Sequence, residues 1–296
     1  MRFLNSLFYY GILIPISHLP YPLLYTLSDG LYFIMFKVIG YRRTVVLQNI
    51  ANSFPDKSKQ EQLQIASDFY RHFCDLIVES LKVFSISKKE VDQRVKVINP
   101  EFIDRFYDKG QNVIMAGGHF NNWELFAMAI DGGIKHKAVA LYKPLTSIFF
   151  DQKMRDSRGK YGLEMVSIKK TEEEFKRKDA PLRAIIFGVD QSPGNPKSSY
   201  WATFLNQDTA MLFGMEKYAK EYNFPVLYAR INKVKRGHYT IEFVDAIEEP
   251  TQTAYGEITK RVNRLLEKDI IQQPEYWLWT HKRWKHTRPV DLVQEC

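Results

Sequence analysis

Between Phe3 and Ser28 the chain carries no formal charge; the run reads FLNSLFYYGILIPISHLPYPLLYTLS, and Pro15, Pro20 and Pro22 interrupt it. A second apolar run, LYFIMFKVIGY, follows Asp29 and Gly30. Each internal proline removes a helical hydrogen bond, so an unbroken spanning helix of about 20 residues is difficult to thread through the first run. The pattern predicts two short apolar helices that lie in or dip into one leaflet of a membrane, with Arg42 and Arg43 at the cytoplasmic head groups. A single spanning helix and a pair of buried core helices are the alternatives. No small-residue cleavage site follows the apolar core, as a secretory signal would require. Residues 1–45 therefore read as a retained anchor and residues 46–296 as the body of the protein.

Beyond the anchor, NSFPDKSKQEQ reads as a turn leading into a helix. Ala66, Phe69, Tyr70, Phe73, Ile77 and Leu81 then recur at helical spacing and predict one apolar face on a helix of roughly residues 59 to 84. From residue 112 the pattern changes. Short apolar runs NVIMA, KAVAL, EMVSI, AIIFG and VLYARI are separated by longer segments with helical periodicity. Among those segments, residues 211 to 222 align Met211, Met215, Tyr218, Ala219 and Tyr222, and residues 256 to 272 align Ile258, Val262, Leu265 and Leu266. Strands alternating with helices imply an α/β fold with a largely parallel central sheet flanked by helices. HYTIEFV, after KVKRG, is expected to return on VLYARI as a hairpin.

Composition narrows the function classes. A chain of 296 residues fits one large domain with an appendage, and 45% apolar with 14% aromatic residues excludes general disorder. The net charge of +8 calls for an anionic partner. Zinc-finger spacing, aromatic RNA-binding motifs and a long basic helix are all missing from the sequence, so nucleic acid is not the expected partner. An anionic membrane or a phosphorylated lipid fits better, with HKRWKHTR placing cations around a tryptophan. Cys74 and Cys296 stand in no paired spacing, which gives no disulfide framework or zinc site and suits a reducing compartment.

The candidate chemistry lies in GGHFNNWE, residues 117 to 124. NVIMA is a strand, Gly117 and Gly118 allow a sharp turn, and a helix follows. Sites in α/β sheets gather at such carboxyl ends of strands. Asn121 is the expected N-cap, which places Glu124 at the capping-box position. The functional alternative has the His119 ring folded back on the Glu124 carboxylate, which would fix the tautomer and leave the other ring nitrogen as a general base. A G-x-S-x-G nucleophile elbow and an H-E-x-x-H metal motif are not found, so neither an acyl-enzyme nor a metal is expected.

H-x-x-x-x-D/E after a strand resembles the glycerolipid acyltransferase superfamily, and GGHFNNWE resembles the form in the bacterial lipid A late acyltransferases, which use Glu. Asn121 stands where many members have glycine. RRTVVLQNIANSFPD, YKPLTSIFFDQKMRDSRGKYG, VDQSP and PEYWLWTHKRWK resemble further blocks of that family, in order, over most of residues 40 to 285. The resemblance implies transfer of an acyl chain from an acyl carrier protein (or coenzyme A) thioester to a hydroxyl of a lipid A precursor, without a cofactor, at the cytoplasmic face of the bacterial inner membrane. His119 would be the base and Glu124 its stabiliser. Asn122, Trp123, Arg158, Asp190, Gln191 and Arg230 form the expected substrate-binding set. The bland readings are a solvated helix arginine for Arg158, a turn cap for Asp190 and Gln191, and a buried carboxylate partner for Arg230. The closing aromatic and basic segment is expected either at the membrane interface or packed as a C-terminal clasp. Alternative acceptors are a lysophospholipid, an aminolipid or a pigment hydroxyl; a hydrolase and a non-catalytic membrane-surface protein are the other classes.

Overall fold

A computed structural model describes residues 2–178 and 181–289; Cys296 lies outside the described residues. Among the described residues there are nine strands: β1 (Val95–Val97), β2 (Val113–Gly117), β3 (Lys137–Tyr142), β4 (Glu164–Ser167), β5 (Arg183–Gly188), β6 (Tyr200–Phe204), β7 (Gln207–Met211), β8 (Val226–Lys235) and β9 (His238–Ile247). Seven form one sheet in the order β1-β9-β8-β2-β5-β3-β4, and β6 and β7 form a separate hairpin. Within the seven-stranded sheet only the β8–β9 neighbour pair is antiparallel; the other five are parallel. The expected α/β class and the β8–β9 hairpin are both observed.

The pleat of each central strand supplies two cores. On β2, Ile114 and Ala116 join the layer that holds Ile50, Val262, Leu266 and Trp277. Val113 and Met115 join the opposite layer with Ile103, Leu125 and Phe243. Helices thus cover both faces, as a buried parallel sheet requires.

Two expectations need correction. Met211 belongs to β7, and the helix begins only at Gly214 and runs to Tyr222. The helix Lys59–Lys82 starts as expected, with Ser58 and Glu61 forming a capping box. However, Phe73, Ile77 and Leu81 are only half-buried. The second half instead buries a polar stripe of His72, Asp75, Glu79 and Lys82. The reason is what covers it.

The amino terminus forms two helical runs that part at Leu19 and Pro20: Arg2 to His18, with π-type turns at Tyr9–Leu13, and Tyr21 to Ile39, with π-type turns at Phe33–Ile39. The second run is long and apolar enough to cross a membrane. Three of its polar side chains nevertheless bond the protein body. Tyr25 donates to Glu79 at 2.9 Å and Ser28 to Asp75 at 2.7 Å. Asp29 accepts from Arg236, at the β8–β9 turn, at 2.6 Å. The outward side is apolar: Leu23, Leu27, Phe33, Ile34, Val38 and Ile39 are exposed.

Candidate active site

His119 follows β2 by two residues, as Asp190 follows the neighbouring β5. Parallel register pairs Gly117 with Gly188, and the Val189 amide bonds the Gly117 carbonyl at 3.0 Å. Two chain segments 71 residues apart are thereby laid side by side. The Asp190 carboxylate accepts from the His119 backbone N–H at 2.7 Å and lies 2.7 Å from ring Nδ1. A third donor, the buried Trp277 indole, reaches Asp190 at 2.9 Å. Gly118 must lack a side chain, because a Cβ there would come within 2.6 Å of Leu266, which is fully buried.

Burial alone would lower the His119 pKa. The Asp190 charge and hydrogen bond, with a smaller contribution from the Glu124 charge, outweigh burial and the opposing Arg158 charge, so the imidazolium is favoured and the pKa is raised. Asp190 is also buried, but its bonds to His119 and Trp277 hold its pKa far below the usual carboxylate range. With Asp190 ionised, the Nδ1 proton points at it, so in the neutral ring the lone pair is on Nε2. The His119 side chain is 24% exposed, and the exposed Gln191 amide lies 3.2 Å from Nε2, within donating distance.

The expected contact between His119 and Glu124 does not form. Both Glu124 oxygens are engaged by Arg158, the last residue of the helix Ile148–Arg158: Arg158 Nε reaches Oε2 at 2.8 Å, and Nη2 reaches Oε1 at 2.5 Å. Trp123 Nε1 donates to the same Oε1 at 3.2 Å, and its ring stands edge-to-face on the His119 ring at 5.1 Å. Glu124 therefore acts on the imidazole through its charge, while Asp190 holds the ring. Arg158, expected to grip an anionic substrate, spends its bidentate edge on Glu124.

The cap is also shifted by one residue. Asn121 adopts a left-handed conformation, φ 57°, and its amide donates to the Ile231 carbonyl at 2.7 Å. Asn122 is the N-cap, accepting from Leu125 N–H at 2.8 Å, so Glu124 sits one position short of the capping box. Asn122, expected among the substrate contacts, is 1% exposed with both ends of its amide bonded within the protein. Asp190, expected to touch the acceptor, is likewise 3% exposed and serves the histidine. Arg230 has its buried carboxylate: Asp269 accepts from Nε at 2.8 Å and from Nη2 at 2.7 Å, and also from the Tyr228 hydroxyl at 2.8 Å. Arg230 Nη1 also lies 3.7 Å from Glu242 Oε2. Trp123 and Gln191 remain beside the open face of His119.

The closing segment is a clasp: Trp277, Trp279 and Arg283 are buried. Two contributions from it were not anticipated, the Trp277 bond to Asp190 and the His281 ring, which accepts from Ser192 N–H at 3.0 Å and steadies the loop after Asp190.

Fold and site together define an α/β protein that presents a carboxylate-oriented histidine at the carboxyl ends of parallel strands. The chain belongs to the bacterial lipid A biosynthesis acyltransferases, the family it matches over residues 2–286. It is 26% identical over 295 residues to a lipid A biosynthesis acyltransferase of Haemophilus influenzae, covering 96% of this chain and 91% of that protein. It is 23% identical over 300 residues to a lipid A biosynthesis palmitoleoyltransferase of Escherichia coli (98% and 93% covered). A lauroyltransferase of the same pathway name and organism is 23% identical over 282 residues (94% and 90% covered). Among solved structures, the 1-acyl-sn-glycerophosphate acyltransferase PlsC of Thermotoga maritima covers 86% of this chain and 97% of its own, at 13% identity and a TM-score of 0.38.

Proposed function

We propose that this chain transfers a fatty acyl group from a carrier thioester, acyl carrier protein in the first instance, to a hydroxyl of a lipid A precursor. The observation that carries the reading is the Asp190–His119 pair, with Nε2 turned to the open side of the site. The names of the relatives supply the acceptor class. In the proposed step His119 Nε2 takes the acceptor hydroxyl proton while that oxygen attacks the thioester carbonyl. The carbon–sulfur bond then breaks, and the imidazolium returns its proton to the leaving thiolate. A positioned base of this kind contributes about 10²- to 10⁴-fold. Glu124 adds negative charge near the imidazolium and anchors Arg158.

Residues 1–45 are the proposed membrane-anchoring part, and residues 46–296 the catalytic part. The anchor is read as lying in the cytoplasmic leaflet of the inner membrane. Support comes from the second apolar run: to span, it would carry Tyr25, Ser28 and Asp29 away from Glu79, Asp75 and Arg236. Each buried polar group left without a partner costs about 1–3 kcal/mol, and more when charged. The exposed apolar surface also extends beyond these helices. Ile148, at the start of the helix Ile148–Arg158, is 87% exposed, and its neighbour Ser147 accepts from Asn5 of the first run at 3.2 Å, close to the exposed Phe3.

The test is mass spectrometry of lipids from cells with the intact gene, without it, and with His119→Ala. Loss of one acyl chain from lipid A, restored by the intact gene and not by the variant, is the expected result. Unchanged lipid A with an acyl group missing from another lipid would overturn the acceptor and name a different one.

A further inference from the structure

Glu79 is 1% exposed, and its hydrogen-bond partners are three neutral groups. Tyr25 donates to Oε1 at 2.9 Å, Tyr239 of β9 donates to Oε2 at 2.8 Å, and the Asn122 amide donates to the same oxygen. Burial pushes its carboxyl pKa up against those hydrogen bonds. A buried carboxylate is a costly way to fill space, since apolar side chains of similar volume often do as well or better. What it provides is direction. Tyr25 lies on the apolar helix Tyr21–Tyr32; Asn122 is the cap of Trp123–Ala129, whose first two residues are the tryptophan against His119 and the glutamate that holds Arg158. One carboxylate therefore joins the seat of the amino-terminal helix to the mouth of the catalytic turn.

We propose that Glu79 is a positioning residue that couples seating of the amino-terminal apolar helix on a lipid surface to the ordering of residues 119–124. The proposal rests on the acyltransferase reading only for its kinetic assay; the structural readout stands without it. Asn122→Asp separates the roles of that side chain. Aspartate is as good an N-cap as asparagine, but it sets a second carboxylate against Glu79. Adding Glu79→Gln restores the hydrogen bond with donor and acceptor exchanged. Tyr25→Phe removes only the link to the apolar helix.

The full chain and its variants are compared on vesicles of phosphatidylethanolamine and phosphatidylglycerol, by steady-state acyl transfer and by amide hydrogen exchange over residues 119–129. For the wild type, vesicles slow exchange over this segment. Asn122→Asp lowers kcat by about ten- to a hundredfold, the scale of a small misplacement of reacting groups, leaves KM for the thioester unchanged and abolishes the vesicle effect. The double variant recovers most of both. Tyr25→Phe gives a smaller kcat loss and weakens the vesicle effect. Wild-type kcat and exchange in Asn122→Asp, or no recovery in the double variant, would overturn the positioning role. Unaltered kcat and exchange in Tyr25→Phe would overturn the coupling to the apolar helix. If the wild type fails to acylate a lipid A precursor, the acceptor reading falls and the exchange data decide this proposal alone.

Discussion

Asp190 grips His119 twice, at the backbone N–H and at ring Nδ1, each at 2.7 Å. One carboxylate thus fixes both where the residue stands and which way its ring faces. Asp190→Asn keeps the shape but presents an amide that favours the wrong tautomer. By analogy with catalytic Asp–His pairs elsewhere, kcat is expected to fall about 10³- to 10⁴-fold. Steady-state kinetics with an unfolding curve check this; near-wild-type kcat would remove Asp190 from the mechanism.

The pH dependence follows from the same pair. His119 has a pKa raised above its ordinary 6.5, and only its neutral form is a base. Activity should therefore rise with pH through an inflection above 6.5. Glu124→Gln should move the inflection down, since one nearby negative charge is lost. The stability linkage has the opposite sense. The extra stabilisation of the imidazolium is fully present below the unfolded value and fades as pH rises through the folded one. A pH–rate profile with its inflection below 6.5 would contradict the assignment.

Glu124 and Arg158 form a partly buried ion pair, with side chains 9% and 23% exposed. Glu124→Ala leaves the guanidinium without its carboxylate and should cost about 1–3 kcal/mol. Glu124→Leu combined with Arg158→Leu should regain most of that stability, as apolar replacement of buried pairs often does, yet stay poorly active. Chemical denaturation and a transfer assay on the same preparations separate the two effects. Full activity in the double variant would reduce the pair to a structural strut.

Gly118 carries a packing prediction. Alanine there meets both Leu266 methyls, at 2.6 and 2.7 Å from its Cβ, and Leu266 is fully buried, so it must turn within the core. Overpacking of this kind costs about 1–3 kcal/mol, and Leu266→Ala in the same chain should recover part of it. A Gly118→Ala protein as stable as the wild type would show that the helix Glu257–Gln272 can slide.

Much of the fold was legible because five strands are nearly continuous apolar runs, the mark of a sheet covered on both faces. β1 is too short to announce itself, and β6 and β7 mix polar with apolar residues, so Met211 was drawn into the following helix. At the site, His119 could be picked out by its strand–Gly–Gly setting. Its true partner could not. Asp190 meets it only because β2 and β5 are neighbours, an adjacency that local pattern does not encode. A five-residue spacing suggests Glu124 as the partner of His119, whereas Arg158, 34 residues away, claims its oxygens. The cap was misplaced by one residue because Asn121 takes the left-handed turn and hands the role to Asn122.

The rivets between the apolar helix and the body carry a practical consequence. Deleting residues 2–39 to obtain a detergent-free protein would uncover Asp75, Glu79 and the inner faces of Tyr70 and Cys74, which rest on Phe36 and Met35. The greasy amino terminus lines the protein as well as forming the proposed anchor. A shortened protein would exchange one sticky surface for another and lose the Tyr25 hydroxyl that bonds Glu79.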